Sequence, residues 1–406
     1  MTNVPCAAQN DSLSSVQLGW ALDAAVGHVV KTDAYERMWL HGNQAQSYGI
    51  ECRFVQPHSD VFAADYGFPT LGIGLRYGHY RGVTMHKAAS PDWGQAQMVD
   101  YQSRMGDIVT AYAFFERPLY RSKHWEADYR IDIGLGWGAN PYNKHTNIDN
   151  ELIGSRLLIY FGAGAHATYY PLPDYGLRVG LEFAHHSNGA LNRPNKGVNL
   201  LSPMVGIVHQ PRNTSKPCTN TPANAASSLS SLKHKPVYAT LSIGVGGKTL
   251  LEDWLQTQYA TSPDNPQYRK ESFHVYYSLS AQADVMYRYA RRWSSGVGLD
   301  LFYSSAAKHI RAIDESYGRT LHHSPWSVGL AAKHEVWWHD LALTMSLGCY
   351  LYRHMGYSAK TEEKPYYERI GLKYVFPRLH GLSIGANVKA HLTKADQTEF
   401  VVGFRL

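Results

Sequence analysis

Two side chains in the stretch LRVGLEFAHHSNGALNRPNKGVN, residues 177–199, form a potential nucleophile and base, Ser187 and His185. A serine hydroxyl attacks an ester poorly until a neighbouring imidazole accepts its proton, and the chemistry that follows is acyl transfer. If residues 176–188 form a strand, alternation places Leu177, Val179, Leu181, Phe183, His185 and Ser187 on one face, and Arg178, Gly180, Glu182, Ala184, His186 and Asn188 on the other. Residues two apart on a strand stand about 6 to 7 Å apart, so the imidazole can reach the hydroxyl. The pair then ends an apolar face, where lipid is the accessible substrate. Asn199 opens the next run and shares a face with Leu201, Val205 and Ile207. Its amide oxygen is placed to orient the ring. The intervening loop offers the Asn188 and Asn195 amides and the backbone around Gly189 as donors to an oxyanion. Arg193 and Lys196 flank it, either as phosphate ligands or as ordinary solvated cations. Glu182 and His186, on the opposite face, read as structural.

The elements that must hold these residues are short alternating runs. The 406 residues include 29 Tyr, 10 Trp and 35 Gly, and the pattern favours many half-exposed strands over a buried α/β core. No run approaches the 18 or so apolar residues of a membrane helix; Leu157 to Ala165 is about the longest. A chain of this kind can cross a bilayer only as a closed barrel. In WEADYRIDIGLGWG, Trp125, Ala127, Tyr129, Ile131, Ile133, Leu135 and Trp137 share a face, against Glu126, Asp128, Arg130, Asp132, Gly134 and Gly136. An apolar band with an aromatic at each end fits a transmembrane β-strand, and Trp125, Trp137, Tyr287 and Tyr289 read as girdle residues. A soluble sandwich also alternates, but its strands are usually shorter.

Sixteen strands follow, at roughly 17–30, 47–56, 70–81, 105–116, 125–138, 154–170, 176–188, 199–210, 237–249, 273–290, 295–306, 326–337, 340–354, 366–377, 382–392 and 398–406. The expected fold is all-β, an antiparallel transmembrane β-barrel of about 16 strands with a range of 12–16, spanning 17–406. Long connections (82–104, 139–153, 250–272, 307–325) alternate with tight ones (171–175, 291–294, 338–339, 378–381), which puts both termini on the periplasmic side. The polar segment 211–236, rich in Ser, Asn and Pro, reads as a flexible insertion, or as a link between two eight-stranded barrels. Residues 1–16 are expected to precede the barrel. MTNVPCAAQND lacks the basic and apolar regions of an export signal, although its CAAQ resembles the tail of one. Cys6, Cys52, Cys218 and Cys349 show no CxxC spacing and are expected to be free. A net charge of +6 without a basic block argues against nucleic acid, and the histidines form no HExxH set.

At its chemistry-bearing stretch the chain resembles the lipid A 3-O-deacylase family, in His185-x-Ser187-Asn188 followed by Pro194-Asn195-x-Gly197. NPYNKHTN (140–147) and IGSRL (153–157) look like segments of larger deacylase-related barrels. The resemblance implies a bacterial outer-membrane enzyme with its site on the outer barrel wall, acting on lipid A or lipopolysaccharide of the outer leaflet without a cofactor. Where that family has a glutamate twelve residues after the serine, this chain has Asn199. An amide can orient the histidine but cannot offset imidazolium charge as a carboxylate does. The His-x-Ser-Asn-Gly string with this asparagine is also similar to outer-membrane phospholipase A, a Ca2+-dependent barrel with a Ser-His-Asn triad. That family lacks the Pro-Asn-x-Gly element, and its acidic loop residue is here Asn192. The first expectation is therefore a serine esterase with Ser187, His185 and Asn199 as catalytic set. Phospholipase A, with Ca2+, and a non-catalytic pore or assembly partner are the alternatives.

Overall fold

The computed structural model describes residues 16–57, 59–88, 102–212, 236–262, 264–360, 364–392 and 394–406. Its N-terminal half runs β1 (Gln17–Val29), β2 (Leu40–Val55), β3 (Thr70–His79), the short β4 (Val83–Met85) and β5 (Ser103–Arg104), β6 (Asp107–Arg121), β7 (Trp125–Gly138), β8 (Leu157–Tyr169), β9 (Tyr175–Ser187) and β10 (Val198–His209). The C-terminal half runs β11 (Val237–Lys248), β12 (Tyr276–Ala290), β13 (Trp293–Ser304), β14 (Trp326–Trp338), β15 (Leu341–Arg353), β16 (Tyr366–Phe376), β17 (Leu382–His391) and β18 (Lys394–Arg405). All sixteen expected strands form, and every barrel pairing is antiparallel.

The sequence left the ring size open, and the structure closes two rings. Strand β10 pairs back onto β1, which also pairs β2, while β11 pairs β18. Two barrels of eight therefore replace the single ring of sixteen expected over 17–406. The physical reason is edge pairing within each half: the edge of β10 is satisfied by β1 and that of β18 by β11. Most of the insertion 211–236, namely 213–235, lies outside the described residues, as do residues 1–15 with Cys6, and Cys218. Cys52 and Cys349 are free thiols.

An eight-stranded barrel is just wide enough for its interior to be filled by side chains. In the first barrel the filling is ionic: Arg53 pairs with Glu51 (2.9 Å) and Glu116, Arg178 with Glu116 (2.8 Å), Arg76 with Glu182 (2.8 Å), and His166 with Asp128 (2.8 Å). Charges this deep persist because each is paired. The second barrel repeats the scheme with Lys333–Asp300 (2.7 Å), Arg369–Glu399 (3.0 Å) and Tyr367 Oη donating to Asp300 (2.6 Å). At the long-loop end a core of Trp39, Leu40, Met85, Met105, Leu152 and Ile153 caps the first lumen.

The outward faces carry the apolar belt. Leu177, Val179 and Leu181 of β9, Val205 and Ile207 of β10, and Ile243, Val245, Phe400 and Val402 in the second barrel are all exposed. Trp125 and Trp137 stand exposed at opposite ends of β7, and Tyr287 is exposed on β12.

The barrels touch at both ends. At the short-turn end Tyr66 Oη donates to Trp337 O (2.8 Å), Arg291 pairs with Asp65 (3.4 Å), and the Phe115 and Trp338 rings meet edge to face. At the long-loop end Tyr142 packs against Trp254 (4.8 Å between centroids) and accepts from Gln258 Nε2 (3.0 Å), and Asn143 Nδ2 donates to Glu271 (2.8 Å).

Candidate active site

Strands β9 and β10 place the candidate residues at the long-loop end, on the outer wall. Their register pairs His185 with Asn199 directly, and β8 sets Ile159 opposite Ser187. Alternation does the rest, turning His185 and Ser187 outward with Leu177, Val179 and Leu181 while His186 and Glu182 go into the lumen. The imidazole of His186 meets Thr110 Oγ1 (2.9 Å) and the Tyr160 ring, and Glu182 is held by Arg76 and His166. Both are structural, as their face implied.

His185 Nδ1 lies 2.8 Å from Asn199 Oδ1. An amide oxygen only accepts, so Nδ1 carries the proton and Nε2 keeps its lone pair. Gly197 packs over the ring: a β-carbon there would stand 2.8 Å from His185 Cε1 and 3.5 Å from Ser187 Cβ, which brings both side chains to one point. Ser187 Oγ has no hydrogen-bond partner among the described residues, a loose arrangement often found before substrate is bound.

The loop beyond Ser187 is built, not loose. Gly189 (φ +62°) and Ala190 (φ +69°) form a tight turn closed by Leu191 N–H donating to Asn188 O (3.2 Å). Asn188 N–H donates to Asn195 Oδ1 (2.9 Å), and Asn188 Nδ2 to Asn192 O (3.0 Å). The two asparagines expected at an oxyanion thus brace each other across the loop. Lys196 N–H and Gly197 N–H donate to Glu151 O and Leu152 O, and Asn192 Nδ2 to Gly154 O, which ties the loop to the β7–β8 connection. Of the segment 153–157 singled out in the sequence, Gly154 takes part in this tie.

Neither flanking cation is idle. Lys196 Nζ bonds Asp33 Oδ2 (2.6 Å) above the Tyr35 ring. Partial burial works against the Asp33 charge, but Lys196 and the Glu36 N–H outweigh it and hold the carboxyl below its ordinary value. Arg193 Nη2 reaches across to Thr249 O in the second barrel (3.0 Å). Among the described residues the one cluster of metal-ligand type, Glu116, Asp128 and His166, lies in the first lumen, where Arg178 pairs with Glu116. It is on the far side of the wall from Ser187.

Sequence reasoning missed Gly197 as a packing surface, although it ends the quoted Pro-Asn-x-Gly string, and missed Asp33 and Tyr35. It also missed Thr249 and Thr398, whose contacts with the loop join residues 59 and 209 positions apart. No local pattern carries a contact that distant.

Two family models match successive parts of the chain. One described as lipid A 3-O-deacylase (PagL) matches residues 71–208, and one described as acyloxyacyl hydrolase, C-terminal domain, matches 237–406. No curated protein matches the sequence. Solved structures with similar folds include the outer membrane enzyme PagL (16% identity, 46% of this chain and 97% of that one, TM-score 0.30) and Neisserial surface protein A (10%, 48% and 96%, TM-score 0.27). OccAB4 of Acinetobacter baumannii is similar over 98% of this chain and 100% of its own, at 10% identity and TM-score 0.22. The boundary between the two family models falls between the two barrels, and the first spans the whole His185–Asn199 site: the chain is an outer-membrane β-barrel protein of the lipid A 3-O-deacylase and acyloxyacyl hydrolase family.

Proposed function

We propose that this protein is a serine esterase of the outer membrane that removes an ester-linked acyl chain from lipid A or lipopolysaccharide. The observation that carries the reading is the 2.8 Å contact of His185 Nδ1 with Asn199 Oδ1 on a lipid-facing wall, with Ser187 two residues along the same face. Ser187 Oγ attacks the ester carbonyl while His185 Nε2 takes its proton. The tetrahedral oxyanion collapses, the sugar hydroxyl leaves with the proton returned by the imidazolium, and water then hydrolyses the acyl-serine by the reverse sequence. Asn199 fixes the tautomer and the ring plane. It lends the imidazolium a dipole rather than a full charge, so its contribution is orientation more than charge stabilisation.

The family model over residues 71–208 is what favours lipid A as substrate. Asn199 in the third position favours one second reading, a phospholipase A. Incubating the purified protein with lipid A and with glycerophospholipid, followed by mass spectrometry, separates them. Loss of one acyl chain from lipid A is expected, dependent on Ser187 and His185. Unchanged lipid A beside deacylated phospholipid, with activity restored by Ca2+, selects the alternative. Hydrolysis of neither points to a non-catalytic barrel.

A further inference from the structure

The second barrel touches the turn that follows the candidate nucleophile, and among the described residues its hydrogen bonds to Gly189 and Ala190 all go to their carbonyl oxygens. Thr398 Oγ1, at the outer end of β18, donates to Gly189 O (2.9 Å). Thr249, just past β11, donates to Ala190 O twice, through its N–H (2.8 Å) and its Oγ1 (2.8 Å). Approach is close enough that a β-carbon at Gly189 would stand 2.3 Å from Thr398 Oγ1 and 2.8 Å from Ile159 Cδ1, the cross-strand neighbour of Ser187.

In a trans peptide the N–H points opposite to the C=O. Binding Gly189 O from the second barrel therefore turns Ala190 N–H the other way. Among the described residues neither Gly189 N–H nor Ala190 N–H has an acceptor, although Ala190 is fully buried. A buried backbone donor left unpaired is rare and asks for a ligand. Ala190 also holds a positive φ that a non-glycine residue adopts at a cost, and it is its carbonyl that receives two bonds.

We infer that Thr249 and Thr398 of the second barrel are positioning residues for the reaction, clamping the Gly189–Ala190 turn so that its free N–H groups face the ester carbonyl attacked by Ser187. This rests on the serine esterase reading above. It gives the C-terminal barrel a task at the site: neither threonine touches substrate, and both act through the turn.

The test measures kcat and KM on lipid A for full-length Thr398→Val, Thr249→Val and the double variant, with Ser187→Ala alongside and heat-modifiable gel mobility as the check on folding. Removing one oxyanion donor outright costs about 100-fold to 1000-fold. The double variant is expected to lose on the order of tenfold to a hundredfold in kcat by displacing the turn, with KM within about twofold of wild type. Thr398→Ser, which restores the hydroxyl without the methyl group, is expected to recover kcat. Wild-type kcat in the folded double variant, a rise in KM alone, or failure of Thr398→Ser to recover what Thr398→Val loses would each overturn the clamp. If Thr398→Val does not fold, Thr249→Val decides: it removes one of the two bonds to Ala190 O while the backbone N–H keeps the fold, a lower kcat is expected, and wild-type kcat overturns the clamp. An active Ser187→Ala would instead sink the esterase reading, so the two failures are distinguishable.

Discussion

The His185–Asn199 contact decides how much each side chain is worth. Under the proposed mechanism Ser187→Ala removes the attacking atom and should lower deacylation at least about a thousandfold, as expected for a nucleophile that acts with its base as a unit. Asn199→Ala deletes one hydrogen bond to the ring, worth about 1 kcal/mol net, and should cost roughly fivefold to tenfold in kcat. Asn199→Asp keeps the acceptor and adds the charge, so it should retain activity. Rates on lipid A check all three, and an Asn199→Ala variant as inert as Ser187→Ala would mean that the asparagine does more than orient. The meeting of His185, Ser187 and Asn199 on one outward face was legible in the sequence because a two-residue period fixes which side chains share a face. How the loop uses its amides was not: Asn188 N–H goes to Asn195 Oδ1 and Asn188 Nδ2 to Asn192 O, and which group a side chain satisfies is a matter of loop packing that spacing does not encode.

At the scale of elements, alternation located all sixteen barrel strands, but it reports where lipid lies against a strand, not where the strand ends. Strand β2 begins at Leu40, seven residues before the expected start, because Gln44 and Gln46 keep their outward positions above the apolar belt and carry no hydrophobic signal. The β9–β10 connection shows the same gap in the other direction. Its sequence offers only a loop rich in Gly and Asn, yet hydrogen bonds to Glu151, Leu152, Gly154 and Thr249 pin it on two sides. Gly197 is the residue of that loop that packs on the imidazole. With φ at +79° and the imidazole 2.8 Å from where a β-carbon would be, Gly197→Ala must push the ring aside. A displacement near 1 Å costs on the order of a hundredfold in rate. The expected result is a folded barrel of normal gel mobility with kcat reduced by about that factor, and full activity would show that the ring has room to move.

The whole molecule is two plugged barrels side by side, and neither the ring size nor the plug is a local property. A strand in an eight-membered ring and one in a sixteen-membered ring have the same dyad pattern; only the missing β10–β11 turn and the polar segment 211–236 hinted at two closures. Once two rings are drawn, the charges facing inward explain themselves as paired filling, Arg53, Glu51, Glu116 and Arg178 in one lumen and Lys333, Asp300 and Arg369 in the other. Reconstituted in a planar bilayer, the protein should therefore give no steady conductance, whereas porin-like open steps would contradict the filled lumens. Placing the site on the outside of the wall then becomes a requirement, since nothing can reach a serine from within. The central claim is that Ser187 is the nucleophile on that wall, and covalent labelling tests it most directly. Treating the protein in outer-membrane vesicles with an alkyl fluorophosphonate and mapping the adduct by peptide mass spectrometry should find the phosphonyl group on Ser187, and none in His185→Ala. An unlabelled Ser187 in a preparation that deacylates lipid A, or an adduct confined to another residue, would contradict the account.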